Sequence, residues 1–214
     1  VRYVKRASQL GNPDLILLPG TKNTMSDLAW MRQSGMEAAV LKAHAAGCPI
    51  FGICGGYQML GEELSDPSGV EEGGTMRGMG LLPMHTFFTE EKTRTRVNGQ
   101  FLQVKGDLSG LSGAAFSGYE IHMGQSVSDG NLSMLTKISD HCNHADHTYD
   151  GIADSGSKTL SQNNGAMEKC EGAMAENVYG SYVHGIFDAQ EVVNAVVKAL
   201  AEKKGIDPAG LAQM

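Results

Sequence analysis

Residues 51–61 constrain the fold most, because they place one cysteine on a sharp turn between an apolar strand and a helix. Gly52 and Gly56 stand two positions before and after Cys54, where a strained turn needs neighbouring backbone to pass without a Cβ clash. We predict that Cys54 is a nucleophile, with the N-terminus of the following helix lowering its pKa and offering N–H groups to an oxyanion. A buried structural cysteine is the alternative. Three glycines and Gln58 favour the nucleophile.

The first 60 residues have strand–helix–strand order. Residues 13–20 form an apolar run closed by Pro-Gly, which predicts a buried parallel strand rather than an edge strand, and residues 48–51 enter a second strand. This order is typical of a doubly wound α/β sheet, in which ligand sites lie at the carboxyl ends of the strands. Gly20 and Cys54 both occupy such ends.

The segment between these strands has helical spacing. A loop at 21–24 leads to a helix that Ser26 or Asp27 can cap, and the apolar spacing resumes after Gly35 until a stop at Gly47.

The middle of the chain is less regular. Residues 79–83 and 93–104 predict antiparallel strands, and residues 118–124 predict a further short strand between glycines. Residues 128–176 are rich in Gly, Ser, Asn, Asp and His, which predicts a long surface excursion.

Ordered patterning returns at residues 179–187, where Asp188 and Glu191 then form a capping box for a final helix. With 214 residues, of which 41% are hydrophobic, the chain is predicted to form a single domain over 1–214.

Charge and composition exclude several classes of function. A net charge of −7 and a pI near 5.5 disfavour nucleic acid or an anionic membrane as partner. The four cysteines form no spaced disulfide framework, which favours a reducing cytoplasm, and no apolar run is long enough to span a membrane. The chain starts without an initiator Met, so we expect a fragment whose N-terminal partner domain is missing.

Four motifs together resemble the class I glutamine amidotransferase domains of cobyric acid synthases. They are Leu-Pro-Gly-Thr-Lys-Asn-Thr at 18–24, Gly-Ile-Cys-Gly-Gly-Tyr-Gln-Met-Leu-Gly at 52–61, Gly-Tyr-Glu-Ile-His-Met-Gly at 118–124 and Tyr-Val-His-Gly-Ile-Phe-Asp at 182–188. The resemblance covers roughly residues 1–204. It implies a flavodoxin-like three-layer α/β/α sandwich, with a mostly parallel sheet and antiparallel additions.

The resemblance also implies the roles of individual residues. Cys54 would attack the side-chain amide of glutamine to form a glutamyl thioester, and His184 would shuttle the protons. The oxyanion and substrate-binding groups would be Gly20, Thr21, Gly55 and Gln58.

One position departs from the family pattern. Class I amidotransferases commonly carry an acidic residue two positions after the histidine, where this chain has Ile186. A Cys-His dyad is implied, since a thiol needs less help from a base than a hydroxyl does. Glu120 and Asp188 are alternative orienting groups, and His122 would line the site or a partner interface.

The resemblance places other ligands outside this chain. The loop at 20–24 lacks the P-loop spacing, so we expect no ATP site here. ATP and Mg²⁺ would bind in the missing N-terminal synthetase domain, which would amidate adenosylcobyrinic acid a,c-diamide, a corrinoid, on the way to vitamin B12. We expect no metal site, although four residues have metal-ligand types: His141, Cys142, His144 and His147.

Three alternatives remain open at this point. The chain could be the amidotransferase domain of a cobyrinic acid a,c-diamide synthase, although that sister branch usually carries a Gly-Gly-rich loop at the first strand end. A cysteine hydrolase on the same fold would not need Gln58. A non-catalytic regulatory module is disfavoured by the intact Cys54 and His184.

Overall fold

A computed structural model describes residues 1–128, 132–140, 160–163 and 166–208. In these residues the α-helices are Thr24–Gln33 (α1), Met36–Ala45 (α2), Gly55–Met59 (α3) and Gln190–Lys203 (α4). The strands are Ile16–Leu18 (β1), Ile50–Ile53 (β2), Glu63–Asp66 (β3), Gly74–Arg77 (β4), His85–Phe101 (β5), Ala115–Val127 (β6), Ser133–Asp140 (β7), Leu160–Asn163 (β8), Ala166–Ala175 (β9), Val178–Ser181 (β10) and Val183–His184 (β11). Short 3₁₀ segments lie at Ala7–Gln9 and Gly106–Leu111.

The described strands join in one mixed sheet. Its order is β1-β2-β10-β9-β7-β5-β3-β4, with β6 pairing to β5 and β11, and β8 pairing to β9. The pairs β1–β2, β2–β10 and β3–β5 are parallel, and the remaining described pairs are antiparallel. The predicted α/β fold is confirmed, with a larger antiparallel share than the sequence indicated.

The first strand lies at the end of this order, so the prediction of an interior strand is wrong. Ile16 and Leu18 are buried against one core, whereas Leu17 is 38% exposed. An apolar run indicates only that the two faces of a strand are covered by other side chains. Whether its backbone has a partner on each side depends on other segments.

Two cores lie on opposite faces of the sheet, because successive residues of a strand point to opposite sides. Ile50 of β2 packs with Leu28 of α1 in one core. Its neighbour Phe51 packs with Val192 of α4 in the other. Each fully buried side chain of this size contributes roughly 1.5–3 kcal/mol, so the helix layers are held to both faces of the sheet.

The helical region follows the prediction except at its first cap. The side chain of Asn23 accepts a hydrogen bond of 2.8 Å from the Ser26 N–H and caps α1, instead of Ser26 or Asp27. The second helix ends at Ala45, just before Gly47 in a left-handed conformation (φ 92°), as predicted.

Part of the polar region 128–176 lies inside the sheet, so the prediction of a surface excursion is wrong for β7 and β9. The first of these strands pairs with β5 and β9 and buries Leu135 and Ile138. The second pairs with β7 and β10 and buries Met174. Residues 141–159 lie outside the described residues. The four residues of metal-ligand type belong to this undescribed segment: His141, Cys142, His144 and His147.

The long hairpin β5–β6 confirms the predicted antiparallel strands, and residues 118–124 form the middle of β6. The predicted strand at 79–83 is not formed; the N–H groups of Leu81 and Leu82 both donate to the Leu60 carbonyl instead.

The final helix begins without a side-chain cap. Its N-cap is Ala189, so the predicted capping box of Asp188 and Glu191 is wrong. The Asp188 N–H donates instead to the Gly185 carbonyl at 2.8 Å and closes a turn after His184. No helix in the described part of the chain has the length and apolarity to cross a membrane.

Candidate active site

Cys54 lies at the tip of the turn between β2 and α3. Its backbone has φ 51° and ψ −112°, a strained conformation for a residue with a side chain. A methyl group at Gly52 would lie 2.6 Å from the Gly56 carbonyl oxygen, and one at Gly56 would collide with the Leu18 carbonyl. The predicted strained turn with close backbone approach at both glycines is confirmed.

His184 reaches the same point from another strand. The short strand β11 pairs with β6 in the register His184–Tyr119. A methyl group at Gly20 would lie 2.8 Å from Cε1 of His184 and 3.5 Å from Cβ of Cys54. Cys54 and His184 are 130 positions apart in the chain. Both nevertheless lie within 3.5 Å of a methyl group placed on Gly20, at the end of β1.

Two groups of β6 hold this pair. The Cys54 Sγ donates to the Ile121 carbonyl at 3.5 Å, and the same carbonyl faces the His184 imidazole. The Tyr119 ring stacks on that imidazole with centroids 5.5 Å apart and planes inclined by 8°. Nε2 of His184 is buried and has no hydrogen-bond partner in the described residues, which leaves a ring nitrogen available for a proton.

The three residues considered as orienting positions lie elsewhere. Ile186 is fully buried in a hydrophobic core. The Glu120 carboxylate lies 2.9 Å from Nζ of Lys169 and 3.8 Å from Nε2 of His122. Asp188 belongs to the turn described above. The groups described beside the His184 imidazole are therefore a backbone carbonyl and a tyrosine ring.

The predicted lowering of the Cys54 pKa by the helix N-terminus is wrong. Burial raises the pKa of its thiol to about 11, although the Gly55 N–H opposes this shift. The carboxylate of Glu71 raises the pKa further. The sulfur belongs to a residue that is only 6% exposed, and α3 has five residues, so desolvation exceeds the effect of the helix N-terminus.

Burial also shifts the pKa of His184, in the opposite direction. The pKa of its imidazole is lowered by desolvation and by His122, against the effect of the Ile121 carbonyl. At neutral pH the pair is therefore a thiol and a neutral imidazole, rather than a thiolate and an imidazolium.

The loop after β1 packs on the first residue of α3. A methyl group at Gly55 would lie 3.0 Å from the Thr21 backbone nitrogen and would collide with the Thr21 Oγ1. The structure thus brings Gly20, Thr21 and Gly55 beside Cys54. Their assignment to an oxyanion hole stays a prediction.

Gln58 lies beneath this site and is 2% exposed. Its Oε1 accepts from Thr24 Oγ1 at 2.9 Å, and its Nε2 donates to the Met123 carbonyl at 3.2 Å and to the Tyr182 hydroxyl at 3.4 Å. Both N–H groups of the amide are used, and Oε1 could accept one further bond, so the substrate-binding role of Gln58 stays a prediction.

Tyr182 is a site residue whose role the sequence did not reveal. Its hydroxyl lies 2.6 Å from Ser126 Oγ, and its ring stacks on His122 with centroids 3.9 Å apart. The only local signal is its position two residues before His184, and none of its partners is near it in sequence.

A family model matches residues 1–192 of this chain and is described as the CobB/CobQ-like glutamine amidotransferase domain. The chain belongs to this family. The predicted recognition is confirmed, whereas the catalytic roles of Cys54 and His184 stay predictions.

Curated relatives narrow the branch of this amidotransferase family. The chain is 49% identical over 207 residues to a cobyric acid synthase of Ruminiclostridium cellulolyticum, covering 97% of this chain and 36% of the relative. It is 44% identical to a cobyric acid synthase of Lachnoclostridium phytofermentans, covering 97% and 38%. The chain therefore spans little more than a third of the length of these relatives.

Solved structures support the amidotransferase fold. PurLQS from Thermotoga maritima matches with a TM-score of 0.60 and 18% identity, covering 93% of this chain and 85% of that one. A further structure described as a glutamine amidotransferase matches with a TM-score of 0.52 and 17% identity over the same shares.

Other surface features of this amidotransferase domain lie away from Cys54. A cavity of about 680 Å³ is lined by residues that include Leu10, Cys48 and Lys203, near the opposite ends of the parallel strands. No group of three His, Cys, Asp or Glu side chains within the described ranges could hold a metal ion.

Proposed function

We propose that this chain hydrolyses glutamine to glutamate and ammonia through a thioester on Cys54. The observation that carries the proposal is the convergence of Cys54 and His184 on Gly20. A nucleophile on a strained turn and a buried ring nitrogen without a partner are what acyl transfer requires.

The neutral resting pair indicates how the thioester would form. His184 takes the Cys54 proton as the sulfur attacks the side-chain amide carbon of glutamine. Backbone N–H groups of Thr21 and Gly55 would stabilise the resulting oxyanion. The protonated imidazole then donates its proton to the departing nitrogen, the C–N bond breaks, and ammonia leaves a glutamyl thioester.

Hydrolysis of the thioester would use the same groups. His184 takes a proton from water as the water oxygen attacks the thioester carbon, and the C–S bond breaks. The sulfur recovers the proton from His184, and glutamate is released. His184 thus gains and returns one proton in each half-reaction, so the pair ends in its starting state.

We further propose that the ammonia is used by a ligase to which this chain belongs. This chain matches only 36% and 38% of the length of the relatives named cobyric acid synthase. The remainder would bind ATP and Mg²⁺ and amidate adenosylcobyrinic acid a,c-diamide in cobalamin biosynthesis. Such a ligase would need a protected path, because ammonia released into neutral water becomes protonated and stops being a nucleophile.

Labelling with a glutamine-like diazoketone tests this function. Mass spectrometry with peptide mapping should find the label on Cys54 alone, and excess glutamine should prevent it. Cys170 is the internal control, because it is exposed and would react with a non-selective alkylating agent. Labelling of Cys54 that glutamine does not prevent would favour another cysteine hydrolase. No labelling, in this chain or in the protein containing the ligase part, would refute the proposal.

A further inference from the structure

A buried carboxylate is hydrogen-bonded to Ser181 and Tyr182, just before His184 in the chain, and has no part in the reaction described above. Glu171 of β9 is 5% exposed. Its Oε2 accepts from Ser181 Oγ at 2.7 Å and from Thr136 Oγ1 at 3.0 Å, and its Oε1 accepts from the backbone N–H of Tyr182. A buried carboxylate is expensive to desolvate, so these bonds must compensate for water lost on folding.

The bonds of Glu171 fix the chain where one strand ends and the next begins. The ladder between β9 and β10 ends at the pair Ala173–Gly180, and Tyr182 stands in the gap before β11. The carboxylate therefore accepts the Tyr182 N–H where a strand partner would otherwise do so. Ser181 Oγ extends the support, because it accepts the Val183 N–H at 3.0 Å. His184 follows directly.

The same segment is bonded to the nucleophile. The backbone N–H of Cys54 donates to the Ser181 carbonyl at 2.8 Å. Ser181 is thus held by Glu171 through its side chain and by Cys54 through its backbone. On the far side, the Tyr182 hydroxyl reaches Gln58 on the helix that follows Cys54.

We propose that Glu171 is a positioning residue, which sets the spacing of Cys54 and His184 through the backbone of residues 181–183. The inference rests on the proposed glutaminase function. In this role Glu171 supports His184 through the backbone that precedes it. The acidic residue common in class I amidotransferases would instead orient the imidazole ring itself.

Charge is not what this role requires. Burial raises the pKa of Glu171 to about 7, against the hydrogen bonds from Tyr182, Ser181 and Thr136, so a protonated form is well populated at neutral pH. A glutamine has nearly the same shape: its carbonyl can accept from Tyr182, and its amide N–H₂ can donate to the two hydroxyls, which then accept instead of donating. A leucine has the volume but no acceptor.

The test compares variants of the full chain by the rate of Cys54 labelling with the diazoketone, separated into a maximal rate and an apparent binding constant. Glu171→Leu should lower the maximal rate by about 100-fold, the loss expected when reacting groups are misplaced by about 1 Å. The binding constant should change less than about 3-fold, because Glu171 does not touch substrate. Glu171→Gln should stay within about 3-fold of wild type.

Glu168→Gln is the matched control, because Glu168 lies on the same strand, its side chain is 41% exposed, and it forms an ion pair with Lys137. A folded Glu171→Leu variant that labels at the wild-type rate would overturn the proposal. So would a loss confined to the binding constant.

If Glu171→Leu does not fold, Ser181→Ala decides. Removal of this one hydroxyl should lower the maximal rate by about 10-fold, consistent with one or two buried hydrogen bonds, and an unchanged rate would count against positioning. Failure of wild type itself to label would refute the glutaminase function, so the two proposals can be told apart.

Discussion

Gly20 gives the sharpest test of the site geometry, because Gly20→Ala adds one methyl group and removes no functional group. That methyl would lie 2.8 Å from Cε1 of His184, whereas carbon atoms pack at about 3.5–4.0 Å. The imidazole or the loop must therefore move by about 1 Å. A displacement of this size costs about 100-fold in rate when reacting groups are misplaced.

The expected result is a decrease of about 100-fold in Cys54 labelling by the diazoketone. Stability should change by less than about 1 kcal/mol, because Gly20 is exposed and does not have a positive φ. Gly110→Ala is the control: its methyl would meet only Ala195 and Ala199, at 3.6 and 3.8 Å. A Gly20→Ala protein that is folded and labels at the wild-type rate would refute the placement of His184 and Cys54 around this residue.

Three further predictions concern the reaction and the fold. Burial lowers the pKa of His184, so the acid midpoint of glutamine hydrolysis should lie below the ordinary value of 6.5; an acid midpoint at or above 6.5 would contradict this. Cys54→Ala should abolish glutamine-dependent amidation by the complete ligase and spare amidation by added ammonia, and Cys170→Ser should spare both; loss of both activities in Cys54→Ala would mean that Cys54 is structural. Because the folded-state pKa of Glu171 is raised from 4.5 to about 7, its contribution to stability is fully present below pH 4.5 and is lost as pH rises through 7. Urea unfolding at pH 5 and pH 8 should therefore show that wild type loses up to about 3 kcal/mol more than Glu171→Gln, and equal losses would contradict the shift.

The sequence predicted best those features that depend on neighbouring residues. The strained turn at Cys54 and the end of α2 near Gly47 follow from local backbone requirements, and both are confirmed. The predicted cap of α1, Ser26 or Asp27, is wrong: Asn23 lies about one helical turn before Asp27 and is an equally good capping residue. Only the structure shows that Asn23 makes the bond.

Features that depend on distant segments could not be predicted from the local sequence pattern. Glu171 stands in a polar stretch that reads as surface, yet it is buried because hydroxyls from Thr136 and Ser181 satisfy its carboxylate. One of these partners is 35 residues away in sequence. The end position of β1 has a similar cause, since it depends on which strand pairs with the outer backbone of residues 16–18.

Burial explains why the pKa of Cys54 is raised, whereas the sequence predicted that it is lowered. A helix N-terminus beside Cys54 favours a thiolate, but the closed surroundings raise the pKa of Cys54 and lower that of His184 by the same desolvation. Desolvation disfavours every charged form, and here it outweighs the partial charge at the N-terminus of the five-residue helix α3. With a neutral thiol and a neutral imidazole at rest, the proposed reaction must begin with transfer of the Cys54 proton to His184 as the sulfur attacks.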